Sequence, residues 1–301
     1  MAETTQTSPP PIVTPDGRTL VVREAGAPGG FPLVVHHGSP SGAMFDERES
    51  AAAAQRGLRL IGFDRPGYGG SDRNRGRTVV DVADDVGVIL DALGLERFIT
   101  WGGSGGGPHA LACAARLGDR CLAAFSISGP APYDAAGLDW TAGMGEDNVA
   151  EFLQAARGEE ALVAYLADAP YQLATVSADE LVPSIRSVLS DVDAAVMTEE
   201  IALRWVAVLQ YGLKPGPGGW IDDDLALTGS WGFDVTAPRV SPGPVEIWHG
   251  GQDLMVPAAH ARWLAQHVPG ARLTFFEAEG HVSLAERQMG AIYDAIARYT
   301  F

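Results

Sequence analysis

A chain of 301 residues with a formal net charge of −17 is long enough to bury a large core as one domain, or as one domain carrying an insertion. Such acidity opposes nucleic acid and anionic membranes as partners, because both repel a negative surface. With 46% hydrophobic and 20% charged residues the composition is globular, and no apolar run reaches the length of a membrane span.

Taken in order, the first eleven residues are polar and proline-rich. They lack the basic start and apolar stretch of a secretion signal, so a cytoplasmic protein is expected, frayed over its first ten residues or so. Residues 12–24 read as a β-hairpin turning at Pro15-Asp16-Gly17. Short apolar strands are predicted at 32–36 and 59–63, with a helical stretch at 51–55 between them. Residues 79–93 alternate apolar and acidic side chains at helical spacing and stop at Gly94. A β-prone run follows at 97–101, then a helix at 108–117 and a strand at 121–128. Alternating strands and helices imply a mostly parallel sheet covered on both faces. Cys113 falls in this second helix and Cys121 opens the next strand; two cysteines make neither a disulfide framework nor a zinc site, and both are expected as buried thiols.

The alternation stops at Gly129. From there to about Val240 the pattern is helical, at 149–156, 160–166, 180–189 and 199–210, with a Gly- and Pro-rich loop after Lys214. Strands return at 244–248 and 272–276, and a last helix is predicted over 285–299. The expected organisation is a core of 1–128 and 241–301 with a helical insertion of 129–240.

The chemistry-bearing stretch is Gly102-Gly103-Ser104-Gly105-Gly106, set between the strand at 97–101 and the helix at 108–117. A serine flanked by small residues at a strand-to-helix turn is the nucleophile-elbow pattern. The following helix directs its positive end at the same spot. A P-loop is excluded because no Lys-Ser or Lys-Thr follows the glycines, and the dinucleotide pattern fits only loosely and in mid-chain. A serine nucleophile needs a base, an orienting acid and an oxyanion hole. Asp253 and His281 each follow a predicted strand, in the order Ser, Asp, His that elbow-type hydrolases use. All three then sit on the edge of the sheet where ligands bind.

Five pieces in this order resemble the α/β-hydrolase family, over nearly the whole chain: His36-His37-Gly38-Ser39-Pro40, Asp64-Arg65-Pro66-Gly67-Tyr68-Gly69-Gly70-Ser71, the Ser104 elbow, Gly250-Gly251-Gln252-Asp253 and Gly280-His281. The resemblance implies a mostly parallel eight-stranded sheet flanked by helices, with 129–240 as a helical cap over the site. It implies Ser104 as nucleophile, His281 as general base and then acid, and Asp253 as the residue that orients the imidazole. The oxyanion hole would use the backbone N–H groups of Ser39 and Gly105. Asp64 is expected to be structural, held by nearby backbone or Arg65.

Of the other histidines, His249, His36 and His37 read as structural, His109 as packing behind the elbow, and His260 and His267 as lying on the surface or behind the site. A metal is not expected, since no carboxylate stands at ligand spacing from His36 and His37. Asp234 and Glu246 are rivals to Asp253, but neither follows a strand end before the histidine. Met44, Phe45, Met255 and Trp205 are the expected pocket lining. Among Trp140, Phe152, Tyr165, Tyr171, Trp205 and Trp231, most are expected to pack the insertion against itself or the core.

The implied activity is hydrolysis of a carboxylic ester or lactone of small or medium size through an acyl-enzyme on Ser104, without cofactor or metal. The partner is a small-molecule substrate, and the protein a monomer or homodimer. A serine at the elbow counts against haloalkane dehalogenase and epoxide hydrolase chemistry, whose relatives on this fold use an aspartate there. The alternative is a proline iminopeptidase-like aminopeptidase, in which Glu146, Glu159, Glu160, Glu199 or Glu200 would hold the substrate amine. Against it, the chain has His-Gly-Ser-Pro where that family typically has His-Gly-Gly-Pro-Gly. Acyl transfer to peroxide is open to the same triad. A non-catalytic receptor is opposed by the complete set of Ser104, Asp253 and His281.

Overall fold

The computed structural model describes residues 6–237 and 243–300. The predicted hairpin divides in two. β1 (Ile12–Val13) and β2 (Thr19–Leu20) pair with each other, while β3 (Val22–Gly26) enters the main sheet. The cause is local: Thr19 N donates to Asp72 Oδ2 at 2.8 Å and Val21 N to Ser71 Oγ at 2.9 Å. Backbone satisfied by side chains has no need of a sheet edge. The N-terminal stretch is tied down sooner than expected, for Thr7 bridges to Glu24 and Gln6 accepts from Phe45 N.

Then follow β4 (Phe31–His36), α1 (Glu47–Ala54), β5 (Leu58–Phe63), α2 (Asp81–Ala92), β6 (Phe98–Gly103), α3 (Gly107–Arg116) and β7 (Cys121–Ile127). Among the described residues seven α-helices intervene before the sheet resumes: α4 (Glu146–Arg157), α5 (Glu159–Tyr165), α6 (Ala169–Thr175), α7 (Ala178–Ser184), α8 (Asp191–Val196), α9 (Glu199–Gly212) and α10 (Gly218–Thr228). The chain closes with β8 (Val245–Gly250), α11 (Ala258–His267), β9 (Arg272–Phe276) and α12 (His281–Ala297). Among the described residues the main sheet has seven strands rather than the expected eight, in the order β3-β5-β4-β6-β7-β8-β9. Only β3 runs antiparallel.

Strands β3 to β8 feed both faces, as strands must when helices cover both sides, whereas β9 gives only Phe276 to one of them. Val34, Ile61, Phe63 and Phe98 pack with α2, α3 and α11 through Val86, Ile89, Leu111 and Leu264. Leu33, Val35, Leu58, Leu60 and Ile99 pack oppositely with α1 and α12 through Ala53, Leu284, Ile292 and Ile296. Cys113 and Cys121 are buried, and neither is in a disulfide. α10 occupies the stretch expected to be loop, and α6 and α8 were not anticipated. α12 starts four residues before its predicted start, at His281 itself. The far boundary of the insertion, placed at 240 and 241, lies outside the described residues.

Candidate active site

β6 and α3 meet at Ser104, whose φ of 53° lies in the left-handed region. A non-glycine residue there is strained by roughly 1–3 kcal/mol, which surrounding structure must hold. That structure is close: a Cβ on Gly106 would stand 2.2 Å from the His36 carbonyl oxygen. Only glycine lets the turn press against the end of β4. Gly38 lies against the serine, its Cβ position 3.5 Å from Ser104 Cβ, and the Cβ position of Gly105 is 3.4 Å from Ser39 N. The two expected oxyanion donors, Ser39 N and Gly105 N, thus belong to neighbouring turns.

Asp253 follows β8 and His281 opens α12. Asp253 Oδ2 accepts from His281 Nδ1 at 2.7 Å, and Oδ1 accepts from Met255 N at 2.9 Å and Val256 N at 2.8 Å. Burial pushes the Asp253 carboxyl up, but the His281 charge and hydrogen bond outweigh it and hold it below the usual range. Burial likewise pushes His281 down, while Asp253 and then Asp193 draw it above an ordinary histidine. The bond to Nδ1 leaves Nε2 as the free basic nitrogen.

The turn bearing Ser39 rests on a buried ionic cluster that the sequence reading missed. Arg65 donates to the carbonyls of His37 and Gly38, to Ser39 Oγ at 2.9 Å, and to Asp223 Oδ2 at 2.6 Å. Ser39 Oγ in turn donates to Asp223, as does Tyr68 OH at 2.9 Å. Arg77 lies 2.8 Å from the same carboxylate. Burial opposes ionisation of Asp223, but Arg65 and Arg77 hold it well below the usual carboxylate range. Its neighbours on α10 differ: Asp222 takes a two-pronged bond from Arg73 at 2.8 and 2.9 Å, and Asp224 faces a cavity. Asp64 is structural as expected, held by Ala43 N, Gly70 N and Tyr211 OH, while Arg65 goes to Asp223 instead.

Two cavities meet at the serine. One of about 690 Å³ is lined by Ser104, Gly105, His281, Trp205 and Met255. Another of about 260 Å³ is lined by Ser104, His281, Met44, Phe45 and Glu49. Trp140, Phe152 and Tyr165 also face the larger cavity, more of the insertion's aromatics than expected, whereas Trp231 is buried elsewhere and Tyr171 is exposed. None of Glu146, Glu159, Glu160, Glu199 and Glu200 lines it; Glu159 pairs with Arg75 at 2.8 Å. Its carboxylates are Asp147, Glu151, Asp168 and Asp224.

The profile of the alpha/beta hydrolase fold matches residues 32–288. The chain belongs to the alpha/beta hydrolase family. It is 26% identical over 279 residues to the AB hydrolase superfamily protein YisY of Bacillus subtilis (strain 168), covering 92% of this chain and 94% of that one. A probable proline iminopeptidase of Leptolyngbya boryana is 31% identical over 107 residues, 35% of this chain and 33% of its own. In fold, the chain resembles an esterase from Exiguobacterium antarcticum, with a TM-score of 0.69 at 21% identity over 96% of this chain and 98% of that one.

Within this alpha/beta hydrolase the remaining histidines are structural. His37 donates through Nδ1 to Gly38 O at 2.7 Å and accepts at Nε2 from Arg65 N at 3.1 Å. His36 packs with its Nε2 3.6 Å from Cys113 Sγ, and His249 bonds Val256 O at 2.8 Å. His109 lies behind the elbow, 3.7 Å from Asp223, and burial lowers it to about 4. His267 is exposed, but His260 is buried, joining Ala131 N to Trp140 O. Glu246 bonds Tyr299 and Asp234 its own turn at Thr236, so neither rivals Asp253. Among the described residues no helix is long and apolar enough to cross a membrane, and no three His, Cys, Asp or Glu are grouped to hold a metal ion.

Proposed function

We propose that the chain is a serine hydrolase that cleaves a carboxylic ester or lactone of small or medium size. Ser104 Oγ attacks the carbonyl carbon as His281 Nε2 takes its proton, with Asp253 stabilising the imidazolium. The oxyanion forms against Ser39 N–H and Gly105 N–H. The leaving alcohol takes the proton back from His281, and water, activated by the same imidazole, releases the acid. Helices α4 to α10 serve as the cap, and the two cavities divide the acyl and alcohol portions between them. The observation that carries this reading is the 2.7 Å Asp253–His281 bond in a residue pair whose imidazole lines the same cavities as the strained Ser104. Hydrolysis of p-nitrophenyl esters of graded length and of simple lactones tests it: turnover by the wild type and none by Ser104→Ala is expected. Equal rates for the two proteins would refute it.

A second reading, an aminopeptidase for short N-terminal residues, is favoured by one feature. Asp224 Oδ2 is buried with no hydrogen-bond partner among the described residues, at the wall of the larger cavity. Glu151 stands on the same wall, held by Trp220 Nε1 at 2.7 Å. Burial raises both carboxyls, with Glu151 adding to the rise at Asp224 and Asp147 to that at Glu151, and an ammonium group would relieve that cost. Proline p-nitroanilide decides between the readings: a preference for it over every ester, lost in Asp224→Asn, selects the peptidase.

A further inference from the structure

The helix that opens with the catalytic imidazole has no capping side chain of its own at Gly280. Its first amides are instead met by a carboxylate from the insertion. Asp193 Oδ2 accepts from His281 N at 2.9 Å, and Oδ1 accepts from Val282 N and Ser283 N, each at 2.9 Å. Asp193 is 0% exposed. It sits on α8, where Ser190 Oγ donates to Oδ2 at 2.8 Å. Val282, Leu189 and Ile201 form a buried apolar cluster beside it. A Cβ at position 280 would come 2.2 Å from Oδ2, so Gly280 makes room for the carboxylate.

We propose that Asp193 is a positioning residue for His281: it fixes the backbone from which the imidazole projects and cancels the positive end of the helix that begins there. His281 is here the base of the proposed mechanism. Three amides from one turn, bonded to one buried carboxylate, leave that turn little freedom. The balance of charge matters as much. A helix N-terminus disfavours a cation placed on its first residue, and the mechanism forms an imidazolium there. The groups facing His281 are Asp253 after β8, Asp193 on α8, and His249 on β8, which is occupied by Val256 O. Glu279, two residues before, is turned to Arg287 and Gln288. Asp193 is therefore the carboxylate, besides Asp253, that favours the charged imidazole. Because it lies on α8, seating of the insertion and competence of the base become one event.

Kinetics on p-nitrophenyl butyrate across pH, with melting temperature, test this. In Asp193→Asn the acid limb of kcat/KM is expected to move down by about half a unit to one unit. kcat at the plateau is expected to fall roughly tenfold to a hundredfold with KM nearly unchanged. Asp193→Glu, which restores the charge, is expected to return the limb toward wild type. Ser190→Ala carries the test should the Asn variant not fold. It keeps the charge but loosens the carboxylate, so kcat falls and KM holds. A limb and kcat equal to wild type, with only a lower melting temperature, would make Asp193 a structural cap and overturn the proposal. His281→Ala separates the two ideas: if it retains activity the base is wrongly assigned, whereas a dead His281→Ala beside an unaffected Asp193→Asn removes only the role of Asp193.

Discussion

At the scale of single residues, pH acts on the Asp253–His281 pair in two opposite senses. The folded imidazole lies above its ordinary value, so its stabilisation is complete below that ordinary value and is lost as pH rises through the folded one. The carboxylate lies below its ordinary value, so its stabilisation holds above that value and is lost as pH falls through the folded one. The proposed mechanism needs the neutral imidazole. Activity is therefore predicted to climb with pH through a limb above the ordinary histidine value, while the histidine's contribution to stability declines over the same range. A kcat/KM profile whose acid limb falls below that value would contradict the geometry. His281→Ala is predicted to lose on the order of 10⁴-fold or more in kcat/KM, measured on the best p-nitrophenyl ester, and to melt lower than wild type with the fold retained, because Asp253 is left buried without its partner.

At the scale of elements, α10 supports the turn bearing Ser39, the proposed oxyanion donor, through Asp223. Asp223→Ala would strand Arg65 and Arg77 in the interior, and chemical denaturation should show a loss of about 3–5 kcal/mol. A change below 1 kcal/mol would mean the cluster relaxes without its anion. This element also shows where sequence reading stops. Gly-Pro-Gly-Gly before Trp220 reads as loop. The arginines at 65, 73 and 77 that make such a helix possible are distant in the chain. Asp193 was hidden for the same reason, since its partners are backbone amides 88 to 90 positions away. By contrast β4, β5, β6 and β7 were legible as short, mainly apolar runs, because burial on both faces leaves few polar residues, here His36, Arg59, Thr100 and Ser126. The order of Ser104, Asp253 and His281 was legible because each follows a strand, and strand ends are where a parallel sheet gathers its ligand groups.

At the scale of the whole molecule, the charge of −17 sets a self-repulsion that surface ion pairs, each worth little, do not offset. Raising salt from roughly 0.01 M to roughly 0.15 M shortens the screening length about fourfold and is predicted to raise the melting temperature at neutral pH. A fall would mean that bridges such as Arg204 to Asp46 and Glu286, which tie α9 to the core, outweigh the repulsion. The fold as a whole brings together a strained turn, a loop acid and a helix-opening histidine from three distant parts of the chain. The most direct measurement of that convergence is active-site labelling with diethyl p-nitrophenyl phosphate followed by peptide mass mapping. One stoichiometric phosphoryl adduct on Ser104 is predicted, absent in Ser104→Ala and slowed by orders of magnitude in His281→Ala. No adduct, or an adduct on another residue with Ser104 unmodified, would contradict the account.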